Sequence, residues 1–140
     1  MPPQTPLNAI KEYWLHLSGT YTKYTPTGES PTKVWAISGG AVLISQNIFK
    51  KINGWDERYF FYYEDLELCK QIRKLGKQIV YYPPCKVIHR HGASGGKVTN
   101  TENQWRRLIP SAKLYHGIFI YYILFLITWT SQKVQKIFSK

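Results

Sequence analysis

The sequence predicts an α/β domain, strands flanked by helices, with an apolar helix toward its C-terminal end. Two short apolar runs, VWAISGGAVLIS and QIVYYP, are interrupted or ended by Gly and Pro, as strands are. Two other stretches, QNIFKKIN and EDLELCKQIRKLG, set apolar residues at helical spacing and end in stop signals. A third, LYHGIFIYYILFLITWT, runs about 17 residues without a charge. With 140 residues, 44% of them apolar and 16% aromatic, the chain can bury one core, which excludes disorder for most of its length.

Residues 1–33 read as a weakly organised segment: Leu7 to Leu17 can form a short helix, and SGTYTKYTPTGESPTK is a Thr/Ser/Pro/Gly-rich loop. From Lys33 the pattern sharpens into a buried strand, VWAISGGAVLIS, broken by Gly39-Gly40. Ser45 caps a helix whose Ile48, Phe49 and Ile52 share a face, and Asn53-Gly54 ends it. After the loop GWDERYFFYY, the pair Glu64-Asp65 opens a second helix with Leu68, Cys69, Ile72 and Leu75 on its apolar side and Gly76 as its stop. QIVYYP is a strand ended by Pro83-Pro84, and KVIH a further strand ended by RHGASGG.

Residues 101–140 form a basic and apolar helical tail. A break is expected at Pro110, and the uncharged stretch after it is bracketed by Lys113 and by Lys133, Lys136 and Lys140. At ~1.5 Å per residue the stretch reaches roughly 25 Å, the lower edge for a membrane-spanning helix. Tyr115, Tyr122, Phe125 and Trp129 recur at spacings of seven, three and four, on one helical face suited to a membrane interface. A helix buried on the domain or in an oligomer is the alternative.

Charge is lopsided: residues 1–67 hold six Lys/Arg and seven Asp/Glu, residues 68–140 thirteen and one. The basic half is expected to face something anionic, an anionic membrane surface or a diphosphate. Nucleic acid is not the expected partner, since no helix-turn-helix, zinc or RNP-like pattern is present and the basic residues are scattered. Cys69 and Cys85 lack CxxC spacing, so neither a disulfide framework nor a zinc site is expected, and a reduced, cytosolic setting fits. MPPQTPLNAI does not read as a signal peptide.

Four aromatic residues, Phe60 to Tyr63, stand directly before Glu64 and Asp65. Two carboxylates at a helix start commonly serve the macrodipole. The same place also suits a general base, at a rim where a substrate hydroxyl can reach it and held by rigid neighbours. One acid can cap the helix while the other points into a cleft.

The ordered set Ser38-Gly39-Gly40, Asn53-Gly54-Trp55-Asp56-Glu57, Phe60-Phe61, Tyr63-Glu64-Asp65, Glu67-Leu68, Gly76, Tyr82-Pro83 and Val87-Ile88-His89 resembles the C-terminal half of family-two glycosyltransferases, rhamnosyltransferase-like and galactosyltransferase-like. The resemblance covers roughly residues 34–95. It implies a GT-A fold, Rossmann-like with a mixed sheet, and makes residues 34–100 the acceptor-side half of the catalytic domain. It implies that Asp65 is the catalytic base and that Glu64 orients a substrate or the helix start. His89 matches a histidine that helps hold a divalent metal, Mg or Mn, on the leaving diphosphate; a structural strand-end histidine is the other reading. Gly39 and Gly40 would let the backbone approach a substrate, and Trp55, Tyr62 and Tyr63 would line the acceptor cleft or belong to the core.

The implied reaction is an inverting sugar transfer from a nucleotide-sugar to a hydroxyl of a saccharide or lipid-linked acceptor, in cell-surface polysaccharide or glycan synthesis. Its setting would be the cytoplasmic face of the cell membrane. The family places a nucleotide-binding half with an Asp-x-Asp motif first, whereas the aspartates of this sequence are Asp56 and Asp65. The expectation is therefore a truncated product, a mis-started frame or one part of a split enzyme, with an N-terminal half on another chain. A catalytically inactive membrane-associated partner is the alternative.

Overall fold

The computed structural model describes residues 1–60, 62–88 and 104–138. Its elements in chain order are α1 (Pro6–Tyr13), β1 (Thr32–Val34), α2 (Gln46–Lys51), α3 (Glu64–Lys74), β2 (Ile79–Tyr81), α4 (Gln104–His116) and α5 (Ile118–Phe138). They fall into two compact units, one of Pro26–Tyr115 and one of Met1–Thr25 with His116–Lys140.

In the Pro26–Tyr115 unit, β1 pairs antiparallel with β2 through Thr32↔Tyr81, Lys33↔Val80 and Val34↔Ile79. Helix α3 packs against β2. It buries Leu66, Leu68, Cys69 and Ile72, which with Ala36, Tyr59 and Ile79 form the core of this unit. Those spacings put one side of the helix out of water, as the sequence pattern predicts. The helix ends where Gly76 takes φ +69° and donates its N–H to the Arg73 carbonyl at 2.9 Å, a left-handed stop that glycine adopts without Cβ strain. Leu75, expected on the apolar side, falls in this turn and is exposed. Arg73 lies 3.9 Å from the centre of the Trp35 ring and donates to the Trp35 carbonyl, tying the end of α3 to the chain after β1. Ser45 caps α2 by accepting from the Ile48 N–H at 3.3 Å.

Three strand expectations change. The strand expected from Val34 to Ser45 shrinks to Thr32–Val34, since β2 offers only three pairing residues. Beyond Val34 the backbone is irregular, Ala36 is buried and Leu43 is fully exposed. Residues 86–88 of KVIH are also irregular, with Val87 and Ile88 exposed, after two prolines that remove ladder donors. Among the described residues the sheet is therefore small and antiparallel rather than mixed.

The second unit gives the N-terminal segment more order than its composition suggests. Thr5 caps α1 by accepting from the Asn8 N–H, with Pro6 at the first helical position. Glu12 then accepts from the Tyr21 and Thr22 N–H groups at 2.6 and 3.0 Å and from the Thr22 hydroxyl, clamping the loop onto the helix. Burial raises the Glu12 pKa, but these hydrogen bonds outweigh it and the carboxyl lies below its ordinary value. Helix α1 packs on α5, burying Ala9, Leu124 and Ser131. Ser131 Oγ donates to the Tyr13 carbonyl at 2.8 Å and Trp14 Nε1 to the Ile127 carbonyl at 3.3 Å.

The uncharged tail is not one helix. Pro110 lies inside α4, and the break comes at Gly117, where φ is +79°. Proline forfeits one hydrogen bond, whereas a left-handed residue turns the chain out of the helix altogether. Tyr115 consequently belongs to α4 and does not share a helical face with Tyr122, Phe125 and Trp129 of α5. No single helix among the described residues is long and apolar enough to cross a membrane.

Candidate active site

The start of α3 is unusual. Tyr62 and Tyr63 both take left-handed backbone, φ 67° and 69°, a conformation costing of order 1–3 kcal/mol for such residues, and Tyr63 offers no side-chain cap. Glu64, Asp65 and Glu67 all stand in the first turn, where negative charge meets the positive end of the helix.

Asp65 is held at two points. Its Oδ1 accepts from the Leu66 N–H at 2.8 Å, and its Oδ2 accepts from the Gly39 N–H at 3.1 Å. A carboxylate accepts about four hydrogen bonds, so two backbone donors orient it without exhausting it. A Cβ placed on Gly39 would stand 3.5 Å from Asp65 Cβ and 3.7 Å from Trp55 Cη2. The fold thus brings Gly39, Trp55 and Asp65 together, three residues separated by 16 and 10 positions in the chain.

Glu64 has a different setting. It is half-buried, and its Oε2 is buried with no hydrogen-bond partner. Burial pushes its pKa up; its own backbone N–H opposes this and the charge of Asp65 adds to it. The two adjacent carboxyls therefore have distinct surroundings, one bound by backbone donors and one desolvated.

Tyr63 packs on Tyr115 with ring centres 5.3 Å apart, and Lys70 Nζ sits 4.8 Å from the Tyr115 ring centre. Tyr62 is half-buried, and Gly40 is exposed beside Gly39. His89, expected near the same cleft, lies outside the described residues, as do Phe61 and His91.

A cleft of about 470 Å³ is lined among others by Asn53, Trp55, Arg58, Glu67 and Gln71. Trp55 belongs both to this cleft and to the Gly39–Asp65 contact. The loop carrying it is fastened by a carboxylate that belongs to the sequence motif but is given no role there. Glu67, only 4% exposed, accepts from Tyr59 Oη at 3.4 Å, from Lys70 Nζ at 3.2 Å and from Gln71 Nε2. Burial and the neighbouring Glu67 charge push the Tyr59 phenol up. The available signal was the spacing of Glu67 to Lys70 and Gln71, three and four residues on along a helix.

Among the described residues no three His, Cys, Asp or Glu side chains group as ligands for a divalent metal.

Helices around a small antiparallel sheet, with a backbone-held carboxylate at a helix start, are compatible with a glycosyltransferase domain. The family described as the N-terminal domain of galactosyltransferase matches residues 22–93, just over half of the chain, and the chain belongs to that family. It is family-two glycosyltransferase-like.

Among curated proteins, the N-acetylglucosaminyl-diphospho-decaprenol L-rhamnosyltransferase of Mycobacterium tuberculosis (strain H37Rv) is 38% identical over 61 residues, 44% of this chain and 20% of that protein. Rhamnosyltransferase WbbL of Escherichia coli (strain K12) is 35% identical over 60 residues, 43% of this chain and 23% of that protein. The matched region spans about a fifth of the length of these relatives. No solved structure matches the chain.

Proposed function

We propose that this chain is the acceptor-side part of an inverting GT-A glycosyltransferase, working with a nucleotide-sugar donor and a saccharide or lipid-linked acceptor in cell-surface glycan synthesis. The observation that carries the reading is the convergence of Gly39, Trp55 and Asp65, with the Asp65 carboxylate oriented by two backbone N–H groups. The rhamnosyltransferase names of the relatives support the reaction class, and one of those names contains a diphospho-decaprenol lipid.

In such a displacement the acceptor oxygen bonds to the anomeric carbon as the bond to the diphosphate breaks. The hydroxyl proton passes to a base and the bonding pair leaves with the diphosphate. Asp65 is assigned as that base and Glu64 as an orienting group, with Trp55 as an aromatic wall beside the acceptor. Gly39 supplies a backbone N–H that aims the carboxylate. A divalent ion on the donor, Mg or Mn, is assigned in this reading to a nucleotide-binding half, which an N-terminal segment or a second chain would provide. The reaction is assigned to the cytoplasmic face of the cell membrane.

The test joins this chain to a nucleotide-binding half and measures sugar transfer. Asp65→Asn keeps the shape but removes the base, and turnover should fall ~10²–10⁴-fold with the fold retained. Glu64→Gln should cost less. Near-normal turnover with Asn at position 65 would return the acidic pair to a helix-start role.

A further inference from the structure

We propose that unit Met1–Thr25 with His116–Lys140 is a lipid-docking element that lies in the plane of an anionic membrane surface, through the side of α5 turned away from α1. It extends the membrane location named above but stands on α5 alone, and glycosyl transfer can hold without it. At ~100° per residue, Leu124 and Ser131, the residues buried on the α1 side, fall within about 20° of each other on the helix. Ile127, whose carbonyl accepts from Trp14, falls on the same side.

The opposite side carries Phe119, Tyr122, Leu126 and Trp129, exposed by 77, 53, 57 and 47%, with Ile118 and Phe125 flanking them. A helix packed on a water-soluble unit turns polar residues outward. Here the outward side from Ile118 to Trp129 holds apolar and aromatic side chains and no charge. Scattered exposed apolar residues are ordinary, but a continuous stripe three turns long marks an interaction surface.

The residues beyond the stripe favour lipid over a second protein surface. Lys133 and Lys136 continue the same side one and two turns on, both exposed, and α5 contains no Asp or Glu. Lys133 Nζ stands 5.7 Å from the centre of the Trp129 ring, an ammonium beside an indole as at a headgroup boundary. The Tyr122 hydroxyl and Trp129 indole combine apolar bodies with polar tips, as interfacial residues do. The break at Gly117 divides the apolar run, and α5 by itself is not long and apolar enough to cross a membrane, which is why the proposed placement is in the surface plane.

Flotation of the full chain with phosphatidylcholine–phosphatidylglycerol vesicles tests this, against pure phosphatidylcholine. Binding should be stronger to the anionic vesicles than to pure phosphatidylcholine and weaken with salt, leaving a salt-resistant apolar part. Leu126→Glu, on the outward side where folding does not depend on it, should lower partitioning about tenfold or more. Lys133→Gln with Lys136→Gln should lower it on the order of tenfold to thirtyfold. Bromines high on the acyl chain should quench tryptophan emission more than bromines at the bilayer centre, and Trp129→Phe should remove most of that quenching. Absence of flotation, flotation unchanged by Leu126→Glu, or deep quenching overturns the proposal. So does a chain that dimerises through this side without binding vesicles.

Discussion

Replacing Glu67 by alanine should loosen α3 and the Trp55–Tyr59 loop together. Glu67 is buried and bonded to Tyr59, Lys70 and Gln71, so truncation strands several groups at once. The Tyr59 hydroxyl, in a buried residue, loses its acceptor, a cost of about 1–3 kcal/mol for an unsatisfied polar group. Lys70, with its side chain 37% exposed, can rehydrate, so its ion pair adds no more than ~1 kcal/mol. The Gln71 bond contributes a similar ~1 kcal/mol.

The sum is roughly 3 kcal/mol, which corresponds to about a hundredfold loss of amide protection. Because the chain has two compact units, the readout is hydrogen exchange of the Glu64–Lys74 amides rather than a global melt. Tyr59→Phe, which removes the hydroxyl together with its need for a partner, should cost about 1 kcal/mol or less. Protection in Glu67→Ala within a few-fold of the parent would show that the cluster does not hold the loop to the helix.

Glu64→Gln should gain stability relative to the parent as pH rises from below 4.5 to neutrality, measured by hydrogen-exchange protection of the Glu64–Lys74 amides at each pH. The sign comes from the raised pKa: the folded state binds the Glu64 proton more tightly than the unfolded state, so the parent loses stability as pH rises through that range. Gly39→Ala should fold normally and change stability by less than ~0.5 kcal/mol, because its Cβ would make only ordinary contacts with Asp65 and Trp55; a large loss of hydrogen-exchange protection in the Glu64–Lys74 amides would reveal a demand for glycine that the packing does not contain. Gly117→Ala, at φ +79° with nothing within 4 Å of the added Cβ, should cost about 1 kcal/mol by backbone strain alone, and Gly117→Asn less; equal hydrogen-exchange protection of the Ile118–Phe138 amides in all three would contradict the left-handed break.

Local signals carried much of the architecture. Ser45 as a cap, Asn53-Gly54 after α2, the apolar side of α3 and the stop at Gly76 were legible because caps and helical periodicity depend on neighbours within a few residues. The family, too, was legible from the ordered motif that runs through Glu64-Asp65. The strand from Val34 to Ser45 was not, because an apolar run becomes a strand only when another strand supplies hydrogen bonds, and β2 supplies them for three residues.

The tail misled for a related reason: hydropathy counts charges and is blind to the φ of Gly117, which divides one apolar run into two helices. Long-range placement lay outside any local pattern. The Gly39 N–H on Asp65, the Trp55 ring edge beside them and Glu67 beneath Tyr59 join residues 8 to 26 positions apart, and such contacts exist once packing has chosen which side of α3 faces inward. Residue types named the candidates, while burial assigned Asp65 two backbone donors and left an oxygen of Glu64 without a partner, a distinction set by desolvation and not by the order of two adjacent acids.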